Sequence, residues 1–411
     1  MLYHDLETQA PEKREARQWK AIRKLLEHAA KHSEEFRARL VRAGLSLRDL
    51  DSLKAFSALP PLRKKELISL QAERGLSWLL TCKPGELRRV YQSPGPIFDP
   101  EGAQADYWGW AEGFFAAGFR PGDLVQMTFS YHLTPAGLML EEPLREIGCA
   151  VIPAGPGNTD VQVELMRRLP VTGFVGMASY LKVIGEKARS LGLDLRKDLG
   201  VRKAFVAAER LPEALRAEVE EMFGATVRQG YGTADVGSIA YECELPQGMH
   251  LSSRAYVEIC DPETGLPLPV GETGEVVVTP FTRDYPLLRL ATGDLSSLIE
   301  APCPCGRTSL RLDGIKGRAD DTAKVKGQFI YPAQAAQVAA RFPQIEAWQI
   351  VLSNPGGKDR IMVRLALTAD IDAGAFQGAF QAVLKLRPEV ESLAAGALAQ
   401  DARRLVDERV F

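Results

Sequence analysis

The spacing of hydrophobic and polar positions changes along the chain and divides it into regions. Residues 11–75 place apolar side chains three and four positions apart among charged ones, as in WKAIRKLLEHAAKHSEEFRARLVRAG. This spacing predicts amphipathic helices whose outer faces are solvated. Pro60 and Pro61 interrupt the pattern, so we expect the helices to break there.

Between about residues 88 and 320, short apolar runs alternate with helical stretches. The runs LVQMTFS, CAVIPA, TGFVGM and KAFVAA have the length and composition of buried strands. Strands that alternate with helices favour parallel sheets whose faces are covered by the helices. The helices between these strands are predicted at 136–147, 161–169, 178–192 and 212–223.

After Tyr256 the pattern changes to strand-like runs around Gly/Pro turns, in AYVEICDPETGLPLPVGETGEVVVTP. This arrangement predicts an antiparallel sheet or small barrel next to the parallel sheet. A last region begins near residue 319 and mixes strands with helices, which predicts a small α+β domain. Its predicted strands cover 325–331, 346–353 and 360–367, and its predicted helices cover 332–341 and 373–386.

Together these regions predict an α/β protein of two domains, as expected for 411 residues. The large N-terminal domain covers residues 1–318 and has mixed or parallel sheets with helices. Within it, residues 1–75 form a helical lead-in and residues 250–315 a β-rich part. The small α+β C-terminal domain covers residues 319–411.

Composition and charge argue against several classes of function. The chain is 45% hydrophobic and 25% charged with a formal net charge of -2, so nothing favours nucleic acid or an anionic membrane as a partner. The N-terminal region lacks the apolar core of a secretory signal. No run approaches the roughly 20 apolar residues that span a bilayer. We therefore expect a cytoplasmic protein.

The segment YGTADVG is the first candidate for chemistry. It is a Gly-rich turn that carries an aromatic ring, a hydroxyl group and a carboxylate, on Tyr231, Thr233 and Asp235. A turn of this kind is a loop in most proteins. Its function therefore depends on what the fold places beside it.

Three thiols and one imidazole form a candidate metal site. Six residues separate Cys243 from His250, and Cys303 and Cys305 form a C-x-C pair in CPCGRT, where Pro and Gly hold two sulfurs on one tight turn. This donor set suits tetrahedral zinc, and four protein ligands leave no open position, so the predicted role is structural. The spacing is not that of a zinc finger. The alternative is a set of four unrelated residues, two of them buried thiols.

The order of several motifs resembles that of the acyl-adenylate-forming (AMP-binding) superfamily, and most of all that of phenylacetate–coenzyme A ligases. The motifs are PAGPGNT, AAE, YGTADVG, TGDL, GRADD and KVKGQFIYPAQ, and the resemblance extends from about residue 60 to the C-terminus. It implies a large N-terminal domain and a small mobile C-terminal domain. It also implies a reaction in which a carboxylic acid and ATP give acyl-AMP and pyrophosphate, after which the acyl group passes to coenzyme A.

The resemblance implies roles for single residues. Tyr231 would stack on adenine and Thr233 would meet the α-phosphate. Asp235 would hold Mg²⁺ in place of a glutamate that is one methylene longer, although Mg²⁺ tolerates little departure from octahedral geometry. Asp294 of TGDL would accept hydrogen bonds from ribose, and Arg318 of GRADD would lie near the nucleotide. The other implied nucleotide-binding residues are Ala207, Ala208, Glu209, Gly230 and Gly232.

His132, in FSYHLTPAG, lies where the resemblance places the acyl pocket. It is a candidate contact for a substrate carboxylate or thioester, and we group it with Thr233 and Asp235 as a candidate catalytic residue. The alternative is a histidine whose ring is satisfied inside the core.

The segment YQSPGPIFDPEG departs from the phosphate loop SSGTTGKP of working family members. Ser93 and Gly95 remain, but Pro94 and Pro96 remove backbone donors, and Asp99 takes the lysine position. A carboxylate at that position repels a highly negative ligand. We therefore predict that this loop cannot cradle a triphosphate.

A second departure lies at the end of the chain. The family has a segment like GKAxRVxDxR, whose lysine stabilises the charge that develops during adenylation. The matching segment QDARRLVDER has Asp401 at the lysine position, with Arg403 or Arg404 as alternative sources of positive charge.

Three functions are compatible with these patterns. The first is an aryl- or acyl-acid–CoA ligase that acts through an acyl-adenylate but activates acids poorly with ATP. The second is a homologue that handles AMP, an acyl-adenylate or an acyl-CoA without ATP, and the third is a non-catalytic ligand-binding or regulatory protein. The implied ligands are a carboxylic acid or its CoA thioester, coenzyme A, AMP or ATP with Mg²⁺, and a structural zinc. Dimers are common among similar ligases, so a homodimer is one expected assembly.

Overall fold

The computed structural model describes residues 2–93, 97–319, 323–325, 328–330, 332–355, 360–399 and 402–409. Its internal contacts divide the chain into two compact units. The first unit comprises Met1–Thr292 and Ser296–Gly314, and the second comprises Gly293–Leu295 and Ile315–Phe411. The chain passes into the second unit after Gly314, a few residues before the predicted boundary at 318.

The helices of the first unit begin and end at ordinary capping residues. Ser33 Oγ, for example, accepts a hydrogen bond from Phe36 N at 3.2 Å, and Gly44 ends the same helix with a φ of 65°, which favours glycine. Short 3-10 helices lie at Asp5–Thr8, Leu47–Asp49, Leu76–Trp78 and Pro84–Glu86. The α-helices are α1 (Pro11–His32), α2 (Glu34–Ala43), α3 (Leu53–Phe56), α4 (Lys64–Arg74), α5 (Ala111–Ala116), α6 (Ala136–Ile147), α7 (Thr159–Arg168), α8 (Ala178–Ser190), α9 (Leu195–Asp198) and α10 (Glu213–Phe223).

The strands of the first unit follow the same alternation with helices. One of them, Leu290–Ser296, also carries Gly293–Leu295 of the second unit. The strands are β1 (Leu62–Arg63), β2 (Arg89–Ser93), β3 (Ile97–Glu101), β4 (Leu124–Met127), β5 (Ala150–Pro153), β6 (Gly173–Gly176), β7 (Lys203–Val206), β8 (Thr226–Thr233), β9 (Gly237–Tyr241), β10 (Met249–Leu251), β11 (Ala255–Cys260), β12 (Gly274–Pro280), β13 (Leu290–Ser296), β14 (Leu298–Ile299) and β15 (Arg311–Leu312).

The larger sheet of the first unit has the strand order β14-β15-β10-β9-β8-β7-β6-β4-β5. Neighbours from β5 to β8 run parallel, whereas neighbours from β8 to β14 run antiparallel. The four predicted apolar runs form β4, β5, β6 and β7, and the predicted helix over 136–147 forms α6 with the same bounds. The predicted mixed α/β fold with a parallel sheet is thus confirmed.

A second sheet, with the order β1-β13-β12-β11, contains the region after Tyr256. Strands β11 and β12 pair antiparallel, from Ala255 opposite Pro280 to Cys260 opposite Glu275, as the Gly/Pro turns predict. Strand β1 pairs parallel with β13. Because α4 begins directly after β1, this pairing anchors the start of α4 to the sheet.

The predicted helical lead-in forms helices that pack beside this second sheet. Ile22 and Leu25 of α1 are buried in one cluster with Leu288. The predicted break at Pro60 and Pro61 lies between α3 and β1. Burial of one helix face with solvation of the other explains the spacing seen in the sequence.

The second unit is a small α+β body. Its sheet has the order β21-β20-β19-β22, in which β19 and β20 are antiparallel and the outer pairs are parallel. The predicted strand over 360–367 forms with the same bounds, while Glu389–Ala394 was missed because half of its sequence EVESLA is polar. The elements are β16 (Gly317–Arg318), β17 (Ala323–Val325), β18 (Gln328–Ile330), α11 (Pro332–Ala339), β19 (Ile345–Ser353), β20 (Arg360–Leu367), α12 (Ala373–Leu384), β21 (Glu389–Ala394) and β22 (Leu405–Asp407).

Across the described ranges, no helix combines the length and the apolar character that a membrane crossing requires.

Candidate functional site

The YGTADVG segment lies where the larger sheet changes from parallel to antiparallel. Strand β8 pairs parallel with β7 and antiparallel with β9. Thr233 is the last residue of β8, and Asp235 lies in the turn before β9. The hydroxyl and the carboxylate therefore stand at the carboxyl end of a parallel strand, the edge at which open α/β sheets bind ligands.

The glycines of this hairpin are required by close packing. A Cβ on Gly230 would lie 2.6 Å from the Trp110 ring, and one on Gly232 would lie 2.5 Å from the same ring. Gly237 has a φ of 79°, and the backbone of Trp108 occupies the position of its missing Cβ. The two glycines thus fix where the turn lies, and the contribution of Gly230 and Gly232 to a ligand site stays a prediction.

Tyr231 is half-buried on β8. Its hydroxyl group donates a hydrogen bond to Thr292 Oγ1 at 3.2 Å, and its ring packs at the margin of the core beneath the second sheet. The ring is therefore held in one orientation without being enclosed, which suits a stacking surface.

Asp235 forms an ion pair that the sequence did not indicate. The Nζ atom of Lys64, the first residue of α4, lies 2.7 Å from Asp235 Oδ2. Asp99 of β3 is fully buried, and burial together with the charge on Asp235 raises its pKa to about 7, while Lys64 acts in the opposite direction. The Lys64 ammonium group, at the start of α4, thus lies near two buried carboxyl groups. One belongs to Asp235 in the β8–β9 turn and the other to Asp99 on β3.

Polar atoms without a hydrogen-bond partner concentrate around this hairpin. Buried polar atoms in proteins are nearly always paired, so an unpaired group suggests a missing water, ion or ligand. Within the described part of the chain, most of the unpaired buried side-chain atoms are Asp99 Oδ1 and Oδ2, Trp108 Nε1, Trp110 Nε1, Thr233 Oγ1, Asp235 Oδ1 and Ser238 Oγ.

The predicted defective phosphate loop forms the β2–β3 hairpin. Ser93 pairs with Ile97 at its end, and Tyr91 pairs with Asp99. The tip, residues 94–96, lies outside the described residues, as does Asp401 of the C-terminal departure. Asp99, at the predicted lysine position, therefore belongs to a buried strand beside the Asp235 carboxylate.

Ala207, Ala208 and Glu209 follow β7, the strand next to β8. Ala208 has a φ of 68°, which is unfavourable for a residue with a Cβ. The Glu209 carboxylate accepts hydrogen bonds from the backbone N and the Oγ of Ser179, each at 2.7 Å. The side chain of Glu209 thus fixes the start of α8. The strained backbone of Ala208 lies at the carboxyl end of the parallel strands.

Asp294, predicted to bind ribose, and Arg318, predicted to lie near the nucleotide, are brought together in the second unit. Arg318 Nη1 donates to Asp294 Oδ1 at 2.8 Å, and the two residues are partners in the β13–β16 pairing. Gly293 has a φ of 79°, and a Cβ there would lie 2.7 Å from Arg318 Nη2. The TGDL and GRADD motifs are therefore neighbours in space.

His132 is exposed, so the alternative interpretation of a core histidine is wrong. Its backbone N donates to Ser130 Oγ at 3.2 Å. The next residue, Leu133, has a φ of 60°, and its carbonyl oxygen accepts a hydrogen bond from Gln92 N of β2 at 2.9 Å. The loop of His132 is thus joined to the β2–β3 hairpin, and the role of His132 stays a prediction.

The four predicted metal ligands converge. Their donor atoms all lie within 4.8 Å of one another, with Cys243 Sγ 3.8 Å from Cys303 Sγ and Cys305 Sγ 3.4 Å from His250 Nε2. All three cysteines are free. Sulfurs bound to one tetrahedral zinc at about 2.3 Å lie roughly 3.8 Å apart, far from the roughly 2.05 Å of a disulfide.

The surroundings of this cluster orient its histidine. His250 lies on β10 opposite Tyr241, and its Nδ1 is 3.2 Å from Ser309 Oγ, which leaves Nε2 facing the sulfurs. Burial, followed by the charges on Arg307 and Arg311, lowers the pKa of His250 to about 4. The imidazole is therefore neutral at physiological pH, as a metal ligand must be.

Several of these contributions have no signal in the sequence. Lys64 lies in the charged stretch LRKKEL, where nothing in the sequence distinguishes it from a solvated surface lysine. Trp108 and Trp110 have the composition expected of core residues. The pairing of β1 with β13, together with the hydrogen bonds between Gln71 of α4 and the backbone of Phe98, positions α4 near the turn after β8. A charge pair between residues so far apart in sequence depends on this tertiary arrangement.

Comparison with known proteins agrees with this geometry. A model of the family described as AMP-binding enzyme matches residues 118–280. The phenylacetate–coenzyme A ligase of Thermus thermophilus is 30% identical over 382 residues, which cover 90% of this chain and 85% of the relative. That of Pseudomonas putida is 28% identical over 390 residues, which cover 90% and 87%.

Solved structures agree on the fold. A 2-hydroxyisobutyryl-CoA ligase in an open conformation, in complex with 2-HIB-AMP and CoA, has a TM-score of 0.88 and 24% identity, covering 98% of this chain and 93% of that one. The chain belongs to the AMP-binding enzyme family. Within that family it is similar to the phenylacetate–coenzyme A ligases.

Proposed function

We propose that this protein is an acyl-adenylate-handling enzyme of the aryl- or acyl-acid–CoA ligase type in which activation of the acid by ATP is weak. The ligand is the AMP part of an acyl-adenylate, bound along the carboxyl end of β8. The observation that carries the proposal is the group of unpaired polar atoms around the YGTADVG hairpin, which includes Thr233 Oγ1 and Asp235 Oδ1.

The same group of atoms argues against strong ATP activation. Asp99 brings a carboxyl group, rather than an ammonium group, to the hairpin, and Asp235 is engaged by Lys64. A triphosphate carries several negative charges, and neither group can replace the ammonium group with which a phosphate-loop lysine balances them. A monophosphate ester carries less charge and lacks the β- and γ-phosphates that such a loop would have to hold.

The remaining assignments follow from the resemblance. Tyr231 supports adenine, Asp294 accepts hydrogen bonds from ribose, Arg318 lies near the nucleotide, and the acyl group lies near His132. The acid and its CoA thioester are the small-molecule partners, and phenylacetate, named in the relatives, is the first acid to test.

Two half-reactions measured separately test this proposal. We expect pyrophosphate exchange with ATP, Mg²⁺ and phenylacetate to run at least about 100-fold below that of the Thermus thermophilus relative. Conversion of preformed phenylacetyl-AMP and CoA to the thioester should be readily measurable. Comparable pyrophosphate exchange would refute the proposal.

A matched pair of variants locates the activity. Thr233→Val should lower the rate of thioester formation from phenylacetyl-AMP, whereas Thr264→Val, in an exposed turn, should leave it unchanged. If Thr233→Val catalyses both half-reactions at wild-type rates, the site lies elsewhere. A wild-type protein that binds AMP but performs neither half-reaction would favour the non-catalytic alternative.

We also propose that Cys243, His250, Cys303 and Cys305 hold one structural zinc. Support comes from sulfur–sulfur and sulfur–nitrogen separations of 3.8 and 3.4 Å, which fit a tetrahedral ion. When bound, the metal would tie the Cys303–Cys305 turn to β10 next to the β8–β9 hairpin. Elemental analysis of the purified protein should find about one zinc per chain, and none in Cys243→Ser.

A further inference from the structure

The most informative unassigned residue near the candidate site is Lys64. It follows β1, which is fixed to β13 by pairing of Leu62 with Leu290 and Arg63 with Ala291. Lys64 is also the first residue of α4. Its backbone is therefore anchored on both sides, so the ammonium group is presented from a rigid position rather than from a loose surface loop.

Lys64 stands at the boundary between the buried carboxyl groups and solvent. Its side chain is 29% exposed, while that of Asp235 is 2% exposed, and their charged atoms are 2.7 Å apart. An ammonium group has three N–H donors, and Asp235 Oδ2 uses one of them. The others can meet an anion that approaches the turn from the solvent side.

The same contact disfavours a divalent cation at this carboxylate. Mg²⁺ binds carboxylate oxygens at about 2.0–2.1 Å in nearly octahedral geometry and keeps several waters. Asp235 Oδ2 is held by Lys64, and Asp235 Oδ1 is buried with no hydrogen-bond partner among the residues that the structure describes. A hydrated ion would have to displace Lys64 and enter a buried space that Asp99 also adjoins.

We propose that Lys64 takes the place of a divalent cation, so that the turn binds a single phosphate group, as in AMP or an acyl-adenylate, without Mg²⁺. This inference rests on the proposed function, because that function puts the phosphate at Thr233. The inference adds Lys64 as a phosphate-binding residue and a preference for ligands that carry a single phosphate group. Lys64 then neutralises Asp235 and donates to the phosphate at the same time.

Calorimetric titration with AMP tests the inference, in Mg²⁺ and in EDTA. For the wild-type protein we expect dissociation constants in the two buffers that agree within about 2-fold. Lys64→Met should weaken binding in EDTA by about 10- to 100-fold, the effect of losing a charge-assisted hydrogen bond. Lys65→Met, the exposed neighbour, should stay within about 2-fold of wild type.

Magnesium gives a signature that a purely structural lysine would not produce. Lys64→Met frees Asp235, so added Mg²⁺ should recover part of the lost AMP affinity in this variant and not in the wild type. Lys64→Arg keeps the positive charge and provides a second test if Lys64→Met does not fold. It should bind AMP equally well in Mg²⁺ and in EDTA.

The outcomes separate this inference from the proposed function. Wild-type binding of AMP that needs Mg²⁺ would overturn the inference and leave the proposed function standing. Binding by Lys64→Met that equals wild type in EDTA would do the same, and so would Lys64→Arg binding that depends on Mg²⁺. Absence of AMP binding to the wild type in both buffers would overturn both.

Discussion

Two regions at the antiparallel end of the larger sheet differ in how their polar groups are satisfied. In the metal cluster, four donor atoms lie within 4.8 Å of one another, and Ser309 orients the histidine. In the β8–β9 hairpin, by contrast, Thr233 and Asp235 retain buried oxygens for which the described part of the chain provides no hydrogen-bond partner. In the first region, four side chains converge on one another. In the second region, the described residues leave polar oxygens that a ligand or water could bind.

This difference suggests that the cluster contributes to stability and the hairpin to ligand binding. A set of four convergent ligands leaves no position for substrate, so its effect is on stability. A set of unpaired polar atoms costs stability until something binds, which is typical of a functional site. Changes in the cluster should therefore act on folding, and changes at the hairpin should act on ligand binding as well.

The largest expected effect is loss of the proposed zinc. Cys303→Ser should lose the zinc and destabilise the first unit by on the order of 4 kcal/mol. A chelator should lower the melting temperature of the wild type toward that of the variant and leave the variant itself unchanged. Thermal unfolding with and without the chelator measures this, with Cys82→Ser, outside the cluster, as the control. A wild-type melting temperature that resists chelation would contradict a structural metal.

Next in size is the effect of filling the space at Gly232. The added methyl group in Gly232→Ala would overlap the carbonyl oxygen of Gly237 and the Trp110 ring, which should cost about 1–3 kcal/mol and weaken AMP binding. Urea unfolding and calorimetry measure the two effects. Gly85→Ala, with open space around its Cβ, is the matched control. Wild-type binding by Gly232→Ala would show that the turn position does not matter.

The last effect concerns Asp99, and its size depends on pH. Burial raises its pKa from 3.8 to about 7, so the folded protein retains a proton that the unfolded chain loses. Stability should therefore fall as pH rises from about 4 to 7 and level off above 7.

Asp99→Asn removes this dependence. It should stabilise the protein at pH 8, by up to about 3 kcal/mol, and change little at pH 4. Urea unfolding at the two pH values checks this, with the exposed Asp51→Asn as the control. An equal effect of Asp99→Asn at both pH values would refute a buried, protonated carboxyl group.

The sequence predicted the regular elements well. The helix over 136–147 and the strand over 360–367 have the predicted bounds, because apolar spacing follows directly from which face of an element is buried. It failed for β21, because half of its residues are polar and each is exposed or only partly buried. That strand forms because β20 offers it an edge to pair with, and such pairing leaves little mark in local composition.

The candidate site divides in the same way. The sequence by itself picked out the four residues of the cysteine–histidine cluster, because thiols and imidazoles are few and chemically distinctive, and it marked the YGTADVG turn through its glycines. Only the tertiary structure decided that Lys64 pairs with Asp235 and that Asp99 lies buried beside them. Lysine and aspartate are common on surfaces, and their charges acquire a specific function only when distant elements bring them together away from water.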